Sequence, residues 1–285
     1  MPSSSEPSVE RFDVAVIGSG PAGHQAALTA ARAGRRTVVI EREAAIGGAC
    51  VHRGTIPSKA LRESALQVVR LRRGADVFET KLERGLEMSR LLGRVDHVIK
   101  SHAATMAEHL RRADVAVVKG RAKLLGPKRL EVEAQRGSVR ALEADVIVIA
   151  AGSRPRAPAN IPIDHENVLD SDSILSMIYV PRSLVVLGGG VIASEYASVF
   201  ALLGAEVTMV DKADRPLKFL DGELVGRFTT ALAGNGGRFL GGETLAAVEP
   251  DGIASVNVRL GSGKVVTADK VLVALGREAN VAGLG

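Results

Sequence analysis

The hydrophobic pattern at the start of this chain alternates short apolar runs with a longer amphipathic stretch. Phe12–Ile17 (FDVAVI) and Thr37–Glu41 (TVVIE) are typical of buried strands, and the alanine-rich stretch between them, closed by Gly34, is typical of a helix. The preceding polar residues 1–11 are expected to form a disordered tail. Strand, helix and strand in this order predict a parallel βαβ unit.

A helical region comes next. The segment from Ile56 to Ser58 opens a helix with an apolar face that includes Leu61 and Ala65, and Lys81–Arg112 has the spacing of a second, longer helix. Short apolar segments broken by glycine then predict a small antiparallel meander. These segments are Val115–Val118, Arg121–Leu125, Leu130–Ala134 and Val139–Leu142.

Two longer apolar runs follow the meander. Val146–Arg156 (VIVIAAGSRPR) predicts a buried strand ending in a glycine turn, after which Pro155, Pro158 and Pro162 stiffen a linker. Val265–Leu275 predicts a further strand.

From Ser183 the first unit is repeated without a gap at an offset of 170 residues. The matched pairs are Gly18 with Gly188, Gly20 with Gly190, Gly23 with Ala193, Gly34 with Gly204, and Glu41 with Asp211. A register this regular predicts a tandem duplication. The expected fold class is α/β, with two Rossmann-like dinucleotide-binding domains of three-layer ββα/βαβ architecture.

The glycine pattern carries the candidate binding chemistry. Gly18 would make the tight turn, Gly20 would let the backbone approach a pyrophosphate, and Gly23 would let helix and strand pack closely. The helix that follows offers free amides and about half a positive charge to phosphates. Glu41 is placed to bond a ribose hydroxyl pair.

In the second unit, Ala193 is an accepted variant of the third glycine, and Asp211 would bond a ribose 2′-hydroxyl and so favour NAD. Lys212 and Arg215 are bases of the kind that a 2′-phosphate needs, although both also fit a reading as ordinary surface charges. The sequence leaves the choice between NAD and NADP open.

Composition narrows the class of protein. A length of 285 residues with 46% hydrophobic and 24% charged residues suits a soluble chain of about two domains. No apolar run approaches about 18 residues, and the N-terminus lacks the features of a signal peptide, so a cytoplasmic protein without a membrane partner is expected.

The basic excess lies in one block. Arg53–Arg140 holds 20 of the 37 basic and 10 of the 32 acidic residues. Because aromatics make up only 3% of the chain, a solvated face is favoured over a nucleic-acid surface. His97, His102 and His109 lack the i, i+4 spacing of a zinc-binding helix, so no metal is expected.

The segment Gly47–Arg62 (GGACVHRGTIPSKALR) resembles the flavin-facing segment of the pyridine nucleotide–disulfide oxidoreductases. That family usually has two cysteines five apart, which form a redox disulfide beside the flavin. Here Cys50 stands at the first place and Thr55 at the second, and Cys50 is the single cysteine of the chain. A dithiol relay within one chain is therefore impossible, and Cys50 is expected to be a small packing residue rather than a nucleophile.

Threonine at this place is similar to the transhydrogenase branch of the family, and so are Asp170–Met177 (DSDSILSM) and Gly188–Phe200 (GGGVIASEYASVF). The resemblance implies an FAD-dependent enzyme that transfers hydride between NADPH and NAD⁺ through flavin N5. It implies that Lys59 lies by the reactive edge of the flavin, paired with Glu195, as the catalytic residues. A lysine in the first turn of a helix works against the helix dipole, which mildly favours such a role.

The resemblance also implies a set of residues that bind FAD, NAD or NADP. They are Gly18, Gly20, Pro21, Ala22, Gly23, Glu41, Arg42, Gly47, Gly48, Cys50, Thr55, Lys59, Ala122, Ala151, Gly152, Gly188, Gly190, Val191, Ile192, Ala193, Asp211, Lys212 and Gly276. Val191 takes the position where some relatives carry an aromatic lid over the nicotinamide pocket.

The same resemblance suggests the domain boundaries. An FAD-binding domain is expected at 12–156, with a helical segment at 57–113 and the meander at 115–142, and an NAD(P)-binding domain at 157–276. Gly276–Asn280 (GREAN) is similar to the family segment that returns to the FAD domain, so 277–285 would begin that return. The family continues with a second FAD segment and a dimerisation domain, and a homodimer is implied for the full-length protein.

Two alternatives remain open. A relative of dihydrolipoamide dehydrogenase or mercuric reductase would share every nucleotide motif, but Thr55 argues against it. A non-catalytic nucleotide-binding fragment is the other, because the C-terminal part of the family is missing, and weak or absent turnover by this chain alone is expected.

Overall fold

The computed structural model describes residues 9–78, 88–134 and 137–285 of the chain. The chain divides into two units, the first built from Met1–His52, Val98–Arg154 and Ala279–Gly285 and the second from Arg53–His97 and Pro155–Glu278. In the described ranges, none of the helices has the length and apolar character that crossing a membrane would require.

The helices are α1 (Pro21–Arg32), α2 (Gly48–His52), α3 (Thr55–Phe78), α4 (Met88–Arg112), α5 (Val191–Leu203) and α6 (Gly222–Gly234), with a 3₁₀ turn at Ile174–Ser176. The strands are β1 (Glu10–Ile17), β2 (Thr37–Glu41), β3 (Ala116–Lys119), β4 (Arg121–Leu124), β5 (Arg129–Glu133), β6 (Val139–Ile149), β7 (Ser153–Pro155), β8 (Val168–Asp170), β9 (Ser183–Leu187), β10 (Glu206–Val210), β11 (Gly237–Leu240), β12 (Leu245–Pro250), β13 (Val256–Leu260), β14 (Val265–Ala268), β15 (Lys270–Val273) and β16 (Arg277–Ala279).

The first unit contains a six-stranded sheet in the order β3-β2-β1-β6-β5-β4. Strands β3, β2, β1 and β6 are parallel, whereas β5 runs antiparallel to β6 and β4 runs antiparallel to β5. Helix α1 and the C-terminal part of α4 cover one face, around Val16 and Val39, while a second apolar cluster around Ile17, Leu130 and Leu142 fills the other. The carboxyl ends of β1 and β2 therefore lie side by side at one edge of the sheet.

The second unit contains a parallel five-stranded sheet in the order β11-β10-β9-β15-β8 and an antiparallel sheet of β12, β13 and β14. Side chains of the two sheets share one apolar core that includes Val185, Val210, Val258 and Val271. Helix α5 follows β9, and α3 packs against α5. The two Rossmann-type sheets confirm the α/β fold class predicted from the repeat.

The local elements of both repeats form as expected. Strand β2 matches the predicted Thr37–Glu41, and α5 ends at Gly204, whose φ of 99° is the left-handed conformation that a helix C-cap favours. The longer helical region is confirmed over Met88–Arg112, whereas residues 81–87 lie outside the described residues.

The predicted tail was too long. Glu10 and Arg11 belong to β1, where they pair with Leu142 and Glu143 of β6. Because Glu10 and Arg11 are polar, the sequence showed no apolar strand pattern at these positions. The backbone there nevertheless pairs with the neighbouring strand. Residues 1–8 lie outside the described residues.

Four of the predicted strands were wrong in their pairing or extent. The segment at Val115–Val118 is not part of the meander, because β3 pairs in parallel with β2. The last meander strand and the run beginning at Val146 are one strand, β6, in which Val146 and Ile149 are each 53% exposed rather than buried. An apolar run does not by itself show that both faces of its strand are covered.

The predicted strand Val265–Leu275 is two strands in different sheets, β14 and β15. The break falls at Asp269, whose carboxylate accepts hydrogen bonds from the Arg182 amide at 2.9 Å and the Ser183 hydroxyl at 3.3 Å. These bonds hold Asp269 beside the start of β9 and turn the chain from one sheet to the other.

Candidate functional site

Each unit has a glycine turn at the carboxyl end of its first parallel strand. β1 ends at Ile17 and the chain turns into α1, while β9 ends at Leu187 and turns into α5. The amide of Gly18 donates to the carbonyl of Ile40 at 2.8 Å, and the amide of Gly188 donates to that of Val210 at the same distance. The turns therefore have the same backbone hydrogen bonding.

The first glycine of each turn tolerates no side chain. Gly18 has a φ of 102°, and a Cβ there would lie 2.4 Å from the carbonyl oxygen of Ala150. Gly188 has a φ of 119°, and its Cβ would lie 2.5 Å from that of Ala274. Both positions require glycine for conformation and for space.

The helices behind the two turns begin without a side-chain cap. Their N-cap residues are Gly20 and Gly190, neither of which supplies a capping hydrogen bond, whereas Asp221 caps α6 by accepting from the Glu223 amide at 2.8 Å. Uncapped amides at a helix N-terminus leave donors and partial positive charge for an anion. The backbone of both turns thus suits a pyrophosphate.

The third position of the motif differs between the turns. A Cβ on Gly23 would lie 1.9 Å from the Gly18 carbonyl oxygen. The second turn accommodates the methyl group of Ala193, which is fully buried behind Gly188. The second turn is therefore slightly wider at the point where helix and strand meet.

In the first unit, Glu41 closes the turn rather than standing free. Its buried carboxylate accepts from the Ser19 amide at 2.9 Å, from the Ser19 hydroxyl, and from the Glu43 amide at 2.8 Å. The Ser19 hydroxyl also accepts from the Gly47 amide at 3.1 Å. Sequence reasoning assigned Glu41 to the ribose and missed Ser19, which has no motif position of its own.

The cradle of the first unit is completed by two further glycines. Gly47 has a φ of 125°, and a Cβ on Gly48 would lie 2.8 Å from the Cα of Gly20. The backbone approaches the first turn so closely that only glycine fits. Cys50 follows on α2 and is half-buried.

The remaining residues predicted for the first unit occupy varied positions. Pro21 and Ala22 are exposed in the first turn of α1, whereas Ala122 is buried in the core cluster of the sheet. Arg42 is exposed and forms an ion pair with Glu43 at 3.5 Å.

Ala151 and Gly152 follow β6. Their carbonyls accept hydrogen bonds from Asn280, at 3.1 Å from its side-chain amide and at 2.9 Å from its backbone amide. These bonds join the returning C-terminal segment to the loop after β6. The involvement of both residues in cofactor binding stays a prediction.

The second unit contains a cavity of about 590 Å³ at its glycine turn, a size that suits part of a nucleotide. Its walls come from the turn, the end of β10 and two loops at the same edge of the sheet. They are Ser171, residues 187–192, residues 210–212, residues 243–245 and residues 273–276. The cavity thereby gathers the predicted Gly188, Gly190, Val191, Ile192, Asp211, Lys212 and Gly276.

Asp211 holds the second turn. Its carboxylate accepts from the Gly189 amide at 2.6 Å and from the Ala213 amide at 2.7 Å. Unlike Glu41 it is partly exposed and lines the cavity. Lys212 also lines the cavity, whereas Arg215 donates to the carbonyls of Lys218 and Leu220 at 3.3 and 3.4 Å within its own loop.

Lys59 and Glu195 meet in the second unit. The Lys59 ammonium contacts one carboxylate oxygen of Glu195, and the Ser58 hydroxyl lies 3.3 Å from the other. The side chains are 52% and 36% exposed, so this ion pair is not buried. Thr55 opens the same helix and is exposed.

Beside this pair lies a buried phenol. Burial raises the pKa of Tyr196 well above its usual range, and the charges of Glu195 and Asp172 add to the increase. In the described part of the chain, the hydroxyls of Tyr196 and Ser194 are buried without a hydrogen-bond partner. Tyr196 therefore stays protonated.

Several residues of these sites carried no usable sequence signal. Residues 243–245 reach the cavity because β11 is the edge neighbour of β10, a pairing that the local pattern does not reveal. Ser58 stood next to the predicted Lys59 and could have been found from that position. Across the described ranges no cluster of three or more histidine, cysteine or acidic side chains is arranged to hold a metal ion.

Two Rossmann-type sheets, each with a glycine turn that a carboxylate closes at the end of the first parallel strand, define a protein built from two Rossmann-type units. Residues 12–285 match the family described as pyridine nucleotide-disulphide oxidoreductase, and the chain belongs to that family.

Two relatives with curated names are both called soluble pyridine nucleotide transhydrogenase. One, from Marinomonas sp. (strain MWYL1), is 38% identical over 274 residues, and another, from Hahella chejuensis, is 37% identical over 275 residues. Each match covers 96% of this chain and 59% of the relative. The chain thus spans about three fifths of the length of these relatives.

Solved structures of the same fold include LpdA from Mycobacterium tuberculosis, with a TM-score of 0.87 and 29% identity, covering 97% of this chain and 61% of that one. The HOCl-induced flavoprotein disulfide reductase RclA from Escherichia coli has a TM-score of 0.82 and 26% identity, covering 96% and 58%.

Proposed function

We propose that this chain carries the FAD site and the nicotinamide-nucleotide site of a transhydrogenase that transfers hydride between NADPH and NAD⁺. The observation that carries the proposal is Thr55 at the position of the family's second redox cysteine, in a chain with one cysteine. A hydroxyl cannot form a disulfide, so the electrons have no sulfur relay within the chain. The names of the relatives agree with this activity.

The first unit suits FAD. Gly18, Gly20 and Gly48 bring backbone within the reach of a pyrophosphate, and the uncapped start of α1 supplies amide donors. FAD, when bound, supplies the group that accepts and returns hydride. The protein contributes binding and orientation: Glu41 keeps the turn closed, and Gly47 and Gly48 leave room beside it.

The second unit suits a nicotinamide nucleotide. Asp211 has one accepted amide bond on each oxygen, which leaves lone pairs for a ribose hydroxyl. Because Arg215 bonds to its own loop, Lys212 is the better candidate for a 2′-phosphate. Val191 is 50% exposed at the cavity, so no aromatic side chain covers it at that position. These features support acceptance of both NAD(H) and NADP(H).

Lys59 and Glu195 are proposed as the catalytic pair that meets the bound flavin. Glu195 orients the ammonium of Lys59, and Ser58 helps to orient Glu195. An ammonium fixed in one place can stabilise negative charge as it develops on a neighbouring group. Helix α3 supplies the rigid support, since Leu61 and Ala65 are fully buried.

The disulfide-reductase alternative requires a second sulfur. RclA shows that the fold is shared with a flavoprotein disulfide reductase, but the fold does not decide the chemistry. The single cysteine favours the transhydrogenase. The homodimer and the cytoplasmic location expected from the resemblance stay predictions.

A nucleotide-exchange assay tests the proposal. The full-length protein, supplemented with FAD, should reduce thio-NAD⁺ at the expense of NADPH, with no requirement for lipoamide. NADH binding is measured separately by fluorescence titration, so that an incomplete flavin site is distinguished from an absent nicotinamide site. Protein that binds both FAD and NADPH yet passes no hydride to thio-NAD⁺ contradicts the proposed activity and favours the nucleotide-binding fragment.

A further inference from the structure

The segment Asp170–Met177 begins with a turn at the carboxyl end of β8, and hydrogen bonds to the Asp170 side chain close this turn. The Asp170 carboxylate accepts from the amides of Asp172 and Ser173 at 2.9 and 2.8 Å and from the Ser173 hydroxyl at 2.8 Å. Such Asx bonding fixes a turn independently of the neighbouring elements. Its effect is to present Ser171 and Asp172 at the edge of the sheet where the cavity lies.

Asp172 lies between two arginines. One carboxylate oxygen is 3.4 Å from the Arg277 guanidinium, and the other is 3.7 Å from that of Arg53. Arg277 also donates to the Ser171 hydroxyl at 3.2 Å, and Ser171 lines the cavity. With its side chain 20% exposed, Asp172 is screened less from both partners than a surface carboxylate would be.

The start of α3 is consequently held at two points. Arg53 lies two residues before the helix and contacts Asp172, while Lys59 in the first turn contacts Glu195. Glu195 lies on α5, the helix that begins at the glycine turn of the cavity. Both contacts thus lead from the nucleotide cavity to the helix that carries Lys59.

We propose that Asp172 is a positioning residue, which holds Arg53 and Arg277 together and so fixes the first turn of α3, with Lys59, against the nucleotide cavity. Nucleotide binding at Ser171 and Gly276 then steadies Lys59 through Arg277 and Asp172. The identity of the nucleotide rests on the proposed function, whereas the ion-pair bridge does not.

Hydrogen exchange of the full chain tests the role of Asp172. In the wild-type protein, saturating NADH should slow exchange in peptides covering residues 53–62 by about fivefold, the low end of usual coupling between sites. In Asp172→Asn the slowing should disappear, and exchange without NADH should already be faster there. A merely structural loss would instead raise exchange throughout the unit.

Asp269→Asn is the matched control. Asp269 is also 20% exposed and pairs with Arg182 at 3.4 Å, but it lies beside the amino end of β9. This variant should keep the wild-type slowing at residues 53–62. If Asp172→Asn does not fold, Arg53→Gln removes the half-exposed partner on the α3 side and should abolish the slowing as well.

The outcomes separate the two proposals. NADH binding with no slowing at residues 53–62 in the wild type, or with equal slowing in Asp172→Asn, overturns the positioning role and leaves the proposed function intact. If neither the wild type nor any variant binds NADH in the fluorescence titration, the nicotinamide site is refuted. If, in addition, residues 53–62 exchange equally fast in nucleotide-free Asp172→Asn and wild-type protein, the ion-pair bridge is refuted as well.

Discussion

Glu41 and Asp211 stand 170 positions apart, and each carboxylate accepts the same two backbone hydrogen bonds. One comes from the second residue of the glycine turn, Ser19 or Gly189, and the other from the residue two positions beyond the acid. The acids therefore stabilise their turns before any ribose is present. The duplication extends from the sequence to individual hydrogen bonds.

The first glycines of the two turns should be separable by mutation. Gly18→Ala should abolish FAD retention and spare NADH binding, whereas Gly188→Ala should do the reverse, because each added Cβ meets a carbonyl oxygen within its own unit. Flavin absorbance and NADH fluorescence titration measure the two effects.

Gly34→Ala serves as the control for both variants. Gly34 has a φ of 73° but open space around a Cβ, so alanine should cost only the left-handed strain of about 1 kcal/mol of unfolding free energy. If the Gly18→Ala protein retained as much FAD as the Gly34→Ala protein, the steric argument would be contradicted.

Asp211→Asn should weaken NADH binding. In the variant, an NH₂ group faces one of the two backbone amides that the carboxylate now accepts from. An unpaired donor costs about 1–3 kcal/mol, which corresponds to roughly fivefold to 150-fold in the dissociation constant. Glu243→Gln is the control, because Glu243 lines the same cavity but accepts from Ser262. Equal weakening in both variants would show that charge, rather than the turn, controls affinity.

Lys59→Met and Glu195→Gln should reduce turnover far more than stability. The half-exposed pair contributes less than about 1 kcal/mol to folding, whereas loss of a positioned charge at a reacting group costs roughly a hundredfold in rate. Denaturant unfolding and the flavin midpoint potential accompany the rate measurement. Glu223→Gln, which breaks an exposed pair with Arg227, should leave all three unchanged.

His24 should make the first unit sensitive to mild acid. Burial lowers its pKa, with opposition from its hydrogen bond to the Met106 carbonyl and a further lowering by His109. The folded state therefore binds fewer protons than the unfolded state, whose histidine titrates near about 6.5. Neutral His24 therefore makes its full contribution to folding stability above the pKa of the unfolded state. This contribution is lost as the pH falls through the lower pKa of the folded state.

Thermal unfolding from pH 8 to pH 5 checks this expectation. The decline in melting temperature on acidification should be smaller in His24→Gln than in the wild type. His97→Gln, which changes an exposed histidine, should follow the wild-type curve. Identical curves for His24→Gln and the wild type would show that His24 does not contribute to the acid response.

The sequence predicted the features set by local backbone chemistry. Gly18 and Gly188 need positive φ, the acids lie 23 residues after these glycines, and α3 begins next to Ile56 and Pro57 as the pattern indicated. Such features depend on residues close together in the chain, so spacing and residue type suffice to find them.

Features set by long-range pairing were not predicted. The length of β6 and the division between β14 and β15 depend on which strands become neighbours. The bridge formed by Asp172 joins residues more than 100 positions apart on each side. No local pattern marks Asp172 as a partner of two arginines, because a carboxylate in a polar turn also fits an ordinary solvated loop.

Cys50 on α2 and Thr55 at the start of α3 determine how this chain should respond to inhibitors that bind two thiols at once. A trivalent arsenical binds tightly by closing a ring across two neighbouring thiols, and these 285 residues contain a single cysteine. The hydride transfer proposed for these residues should therefore continue at arsenical concentrations that stop relatives with a redox dithiol.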